Sequence, residues 1–88
     1  MRKSETMERA LTAVSIERRA QIEQWGDQSG HPDTTWLAIL TEEVGEAAQA
    51  VLHDKFGGKA AGELRWELIQ VAAVAVAWIE AIDKRGLK

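Results

Sequence analysis

From Leu68 to Ile79 the chain reads LIQVAAVAVAWI, and within that run Gln70 is the sole polar residue. An α-helix built from it is apolar all round, and a helix without a polar face is buried on every side. The alanines at 72, 73, 75 and 77 let neighbouring helices come close. A chain of 88 residues cannot form three helices that enclose one of their own so completely. The run therefore predicts a partner subunit, in a homodimer or homotetramer whose helices share a bundle. The plainer alternative is a loose monomeric three-helix bundle.

Glycine and proline divide the rest. Gly26 to Gly30, Gly57–Gly58 and Gly86 are the breaks, and Pro32 is the single proline. No alternating β-branched run between them suggests a strand. The expected architecture is all-α, one domain over residues 1–88. A first helix runs from about Ser4 to Trp25 and stops at Gly26. A second starts after GDQSGHP with Asp33 or Thr34 as N-cap and ends near Phe56. A third extends from about Lys59 to Arg85. The short Phe56-Gly57-Gly58 connection makes the second and third helices antiparallel neighbours.

Several classes of function are disfavoured at once. With 45% hydrophobic residues the chain has enough for a globular core. With no cysteine it has neither disulfides nor thiolate zinc sites, which fits a reducing cytoplasm. A formal charge of −3 argues against a nucleic-acid polymer as partner. The start, MRKSETMERA, lacks the apolar stretch of a signal peptide, and LIQVAAVAVAWI falls well short of the ~20 residues a membrane span needs. The expectation is a soluble cytoplasmic protein.

The second helix carries TEEVGEAAQA at 41–50, with Glu42, Glu43 and Glu46 among small and apolar residues and no lysine or arginine within a turn. At about 100° per residue, Leu37, Leu40, Val44, Ala48 and Val51 form one stripe. Glu43 and Glu46 share a second strip with Ile39 and Ala50, so the helix has two apolar faces and the second contains carboxylates. Glu42 stands beside that strip, nearer solvent. On the third helix Glu67 and Gln70 line up with Val74 and Ala77, and Glu63 lies a turn earlier. Residues three apart on a helix are adjacent, and antiparallel packing sets EEVGE opposite ELIQ. Carboxylates gathered among apolar groups repel one another and desolvate at high cost. Either they protonate or a cation sits among them, and a hard divalent ion with oxygen ligands, Mg2+ or Mn2+, is the economical choice. The bland alternative is a set of solvated, helix-favouring glutamates.

EEVGE followed about twenty residues later by ELIQVAAVAVAWIEAI resembles the MazG-like all-α nucleoside triphosphate pyrophosphohydrolases, whose signature is Glu-Glu-x-x-Glu on one helix and Glu-x-x-Asp on the next. The resemblance spans roughly Ile16 to Asp83 and includes QIEQWG at the end of the first helix. It implies hydrolysis of a nucleoside triphosphate between the α and β phosphates with magnesium, in a dimer or tetramer. By position it implies Glu43, Glu46 and Glu67 as metal ligands, with Glu42 holding a further metal or orienting the attacking water. The departure is Gln70, where the family has aspartate. Its carbonyl can ligate a metal but brings no charge, so the site should hold magnesium more weakly unless Glu63 compensates. On that reading Gln70→Asp should tighten binding.

Other residues carry two readings. Lys55, Lys59 and Arg65 are candidate phosphate contacts or plain surface charges. Trp25 and Trp36 flank the polar loop, where an indole could stack on a base or staple the loop to the helix ends. Trp66 and Trp78 belong to the apolar third helix and read as core or interface. His31 has no histidine partner at ligand spacing. For the whole chain, the alternative to the enzyme is a non-catalytic helical oligomer that binds a nucleotide or a protein.

Overall fold

The third helix is the middle of the molecule. In a computed structural model that describes residues 3–57 and 63–86, the chain forms α1 (Lys3–Trp25), α2 (Asp33–Phe56) and α3 (Leu64–Gly86), with no strand among the described residues. Both α1 and α2 pack on α3, and they do not pack on each other. The all-α reading holds. The expected start of the third helix near Lys59 lies outside the described residues.

Local chemistry sets the helix ends. Gly26 and Gly57 both have φ of 73°, a left-handed conformation that costs a residue with a Cβ. There their amides turn back to the last helical carbonyls, Gly26 to Ile22 and Gly57 to His53, each at 2.8 Å. The N-cap expected at Asp33 or Thr34 is not found. Pro32 occupies that position, extended and with no side-chain cap. Asp33 instead accepts hydrogen bonds from Trp78 Nε1 at 2.9 Å and Arg85 Nη2 at 2.7 Å, and these two donors hold its carboxyl below the usual range. They fasten the start of α2 to the end of α3, as an antiparallel pair requires. Glu17 with Gln70 and Arg18 with Glu80 tie α1 to α3, and Asp27, in the loop after α1, pairs with Lys84 near the end of α3, so these two helices run parallel.

The core is small. Trp36, Val74, Ala77 and Ala81 form its buried centre, with Ile39, Leu40 and Trp78 packed around them. On α2 the face turned inward holds Trp36, Ala47 and Ala50, together with partly buried Glu43. Of the first apolar stripe only Leu40 packs on the core: Leu37, Val44 and Val51 are about half exposed, and Ala48 is exposed too. The third helix is likewise covered on two sides only. Leu68, Ile79 and Ile82 are about half exposed, and with Ala72 and Ala75 they make one stripe at helical spacing. The fold is correspondingly flat, 48 × 34 × 20 Å with a radius of gyration of 14.8 Å, against roughly 12 Å for a compact domain of this length. No helix among the described residues is long and apolar enough to cross a membrane.

Candidate metal centre

Because α1 and α2 stand apart on either side of α3, a trough remains between them. It forms a cavity of about 400 Å³, within the range of small-molecule sites. Glu17, Gln21, Gln24, Trp25 and Gln28 come from α1 and the loop after it. Trp36, Ile39, Glu43 and Glu46 come from α2, and Trp66, Glu67, Gln70, Val74 and Ala77 form the floor. The Ile39–Glu43–Glu46 strip and the Glu67–Gln70–Val74–Ala77 line thus meet across one space, as the helical spacing predicts.

Within it, Glu43, Glu46 and Glu67 each bring a carboxylate oxygen to a common point, all within 4.8 Å of one another. Glu67 is buried, at 8% exposure, and Glu43 Oε2 is buried with no hydrogen-bond partner among the described residues. Burial, then the charges of Glu46 and Glu67, push the Glu43 carboxyl up to about 7. Burial and Glu46 raise Glu67 as well. Glu46 is therefore the neighbour that both others resist. An all-oxygen donor set with an unpartnered buried oxygen suits a hard divalent cation, which would replace this repulsion by attraction. The residues fit such an ion; nothing in the donor set separates Mg2+ from Mn2+.

The raised Glu43 pKa fixes the sign of a pH effect. Its ordinary value is 4.5, so between there and about 7 the folded chain binds more protons than the unfolded chain. That contribution to stability is full below 4.5 and is lost as pH rises through 7. Asp27, pulled down to about 2 by Ser29 and Lys84, titrates below this window. In EDTA, calorimetry should find a higher Tm at pH 5 than at pH 8, at roughly 4–8 °C per kcal/mol for a domain of this size. Excess Mg2+ or Mn2+ at pH 8 should close the gap. A Tm that is flat with pH in EDTA would contradict the described carboxylate geometry.

Several expected site residues lie elsewhere. Glu42 is exposed and does not line the cavity, although its charge adds to the upward push on Glu43. Glu63 is spent as the N-cap of α3: its two carboxylate oxygens accept from the amides of Arg65 at 3.1 Å and Trp66 at 3.2 Å, so it does not compensate for Gln70. Gln70 lines the cavity, but its amide is engaged by α1, with Nε2 donating to Glu17 at 2.7 Å and Oε1 accepting from Gln21 at 3.4 Å. Lys55 is away from the cavity, its ammonium 5.4 Å from the Phe56 ring. Lys59 lies outside the described residues.

The tryptophans sort differently from expectation. Trp36 is core, at 3% exposure, set edge-on to His31 with ring centroids 5.2 Å apart, and its Nε1 is buried without a partner. Trp25 is 60% exposed, and Trp66, expected in the core or at an interface, is 47% exposed in the single chain; both border the cavity. Apart from Trp25, the α1 wall was missed. Glu17, Gln21 and Gln24 recur at spacings of four and three, a polar stripe on one helical face that could have revealed it. No family model, curated protein or solved structure matches the chain.

Proposed function

We propose that this protein is a metal-dependent nucleoside triphosphate pyrophosphohydrolase of the MazG-like kind, releasing a nucleoside monophosphate and pyrophosphate. The observation that carries the reading is the convergence of Glu43, Glu46 and Glu67 within 4.8 Å in a cavity bordered by Trp25 and Trp66. These three glutamates would hold Mg2+ or Mn2+. When bound, the cation supplies the positive charge that brings a polyanionic triphosphate beside carboxylates and stabilises the charge that develops on its oxygens. The two accessible indoles offer faces for a base. Glu42 is exposed and outside the cavity lining, so on this reading it would orient water from outside rather than ligate the buried ion.

A second reading is favoured by that same position of Glu42. A module without a water-orienting carboxylate inside its cavity would bind a nucleotide and leave it intact. The two separate in one experiment. The full chain is incubated with a panel of ribo- and deoxyribonucleoside triphosphates and Mg2+ or Mn2+, and the products are resolved. Monophosphate with pyrophosphate supports the enzyme. Cation-dependent binding without products supports the non-catalytic scaffold, and diphosphate with inorganic phosphate contradicts both.

A further inference from the structure

The trough has two chemically different ends, set by the registers of its three helices. On α3 the floor starts at Trp66 and Glu67 and finishes at Ala77, about 15 Å further along the helix. The carboxylates gather at the start, where Glu43 and Glu46 meet Glu67. At the far end Trp36 packs with Val74 and Ala77. The α1 wall runs parallel to this floor. Gln21 stands beside Gln70, Gln24 and Trp25 lie about a turn beyond it, and Gln28 follows in the loop, where Asp27 already reaches Lys84. No charged residue lines this far end, and no lysine, arginine or histidine among the described residues lines the trough at all. The far end thus has nothing to hold a phosphate. It does have what suits a flat, uncharged ring: an indole that is 60% exposed and several side-chain amides.

The direction of two of those amides is fixed. Gln70 Nε2 donates to Glu17 Oε2 at 2.7 Å, and a carboxylate only accepts, so the Gln70 carbonyl points away from Glu17. That carbonyl accepts from Gln21 Nε2 in a longer contact of 3.4 Å. Gln21 is left with its own carbonyl, which has no donor among the described residues, on a side chain that lines the trough. We propose that the neutral end is a nucleobase subsite, in which the Trp25 indole stacks on the ring and the Gln21 carbonyl accepts from an amino group or ring N–H on its edge. This rests on the nucleotide reading given above and assigns its two halves, the triphosphate to the Glu67 end and the base to the Trp25 end. Trp66 adjoins Glu67 and belongs to the phosphate end, so of the two exposed indoles Trp25 is the one that reads the base. Gln21 is then a specificity-determining residue, because a ring edge offering only acceptors would leave its carbonyl unpaired.

The test is a calorimetric titration of the full chain at fixed, saturating Mn2+. One probe is a set of α,β-methylene analogues of the common ribonucleoside triphosphates. The other is inorganic tripolyphosphate, which has the charged half alone. Far-UV circular dichroism verifies the fold of each variant. Trp25→Ala should lower affinity for the tightest-binding analogue roughly 5–150-fold, the range for one base stacked on an aromatic side chain, and leave tripolyphosphate within about twofold of wild type. Trp25→Phe, which keeps an aromatic face, should retain most of the affinity. Gln21→Leu should cost roughly 3–10-fold against the same analogue and nothing against tripolyphosphate; an unchanged analogue affinity would overturn its role as acceptor. Equal losses for both probes in Trp25→Ala, or a loss in Trp66→Ala with none in Trp25→Ala, would overturn the base subsite. Wild type that binds tripolyphosphate but no analogue overturns it and leaves the cation site standing. Wild type that binds neither probe overturns the nucleotide reading itself.

Discussion

Glu46→Gln should make the metal-free protein more stable at pH 8 and, at the same time, abolish its response to Mg2+ or Mn2+. Glu46 is the charge that raises both Glu43 and Glu67, and it is exposed, so an amide of the same shape removes repulsion without opening a cavity. On the proposed reading a bound cation does that work in wild type: a ligand that binds only the folded state at a hundred times its Kd stabilises by about 2.7 kcal/mol. In Glu46→Gln the cation-dependent rise in Tm should vanish, and pyrophosphate release should fall at least about 100-fold, because one direct ligand is gone. The opposed signs are the useful part. A glutamate that was only surface decoration would change neither quantity, and one needed only for folding would lower Tm with or without metal.

The second large effect concerns assembly, which we propose from the faces the single chain leaves bare. Leu37, Val44 and Val51 on α2, and Leu68, Ile79 and Ile82 on α3, are each about half exposed. Helical spacing puts both stripes on the side away from the cavity. Apolar patches of this extent mark interfaces, and a flat three-helix layer cannot cover them itself. Two such layers packed back to back would give a larger bundle in which α3 is buried on every side. Ile79→Glu and Ala75→Glu should then break the assembly, because a carboxylate would enter a packed apolar contact. Light scattering at micromolar concentration should give a multiple of the 9.7 kDa chain mass for wild type, with lower mass and lower Tm in both variants. In a monomer Ile79→Glu would fall on an exposed position and leave the stability within about 0.5 kcal/mol of wild type.

The helices and the carboxylate meeting point were legible in the sequence for the same reason. Glycine at 26 and 57 marks the stops by a conformation other residues avoid. Three-residue spacing on two antiparallel helices brings Glu43 and Glu46 level with Glu67. Helical spacing identifies faces, however, and does not say which one turns inward. On α2 both strips are apolar enough to be packed, and the one with glutamates is the one that meets α3 within the chain. The N-cap was misplaced because Asp33 has stronger partners in Trp78 and Arg85 than in its own helix amides. Glu63 was placed on the face of α3 because the residues before Leu64 read as helix, whereas its carboxylate caps the helix instead. The α1 wall escaped notice because its Glu17, Gln21 and Gln24 stripe looks like an ordinary wet face until the trough between α1 and α2 is seen.

The account depends most on a divalent cation sitting where the three glutamates meet. Crystals of the full chain grown with Mn2+ at pH 8 test this through the manganese anomalous signal. The expected result is an anomalous peak within ligand distance, about 2.0–2.3 Å, of carboxylate oxygens from Glu43, Glu46 and Glu67. A well-ordered cavity with no anomalous peak, or a peak confined to carboxylates elsewhere on the surface, would contradict it.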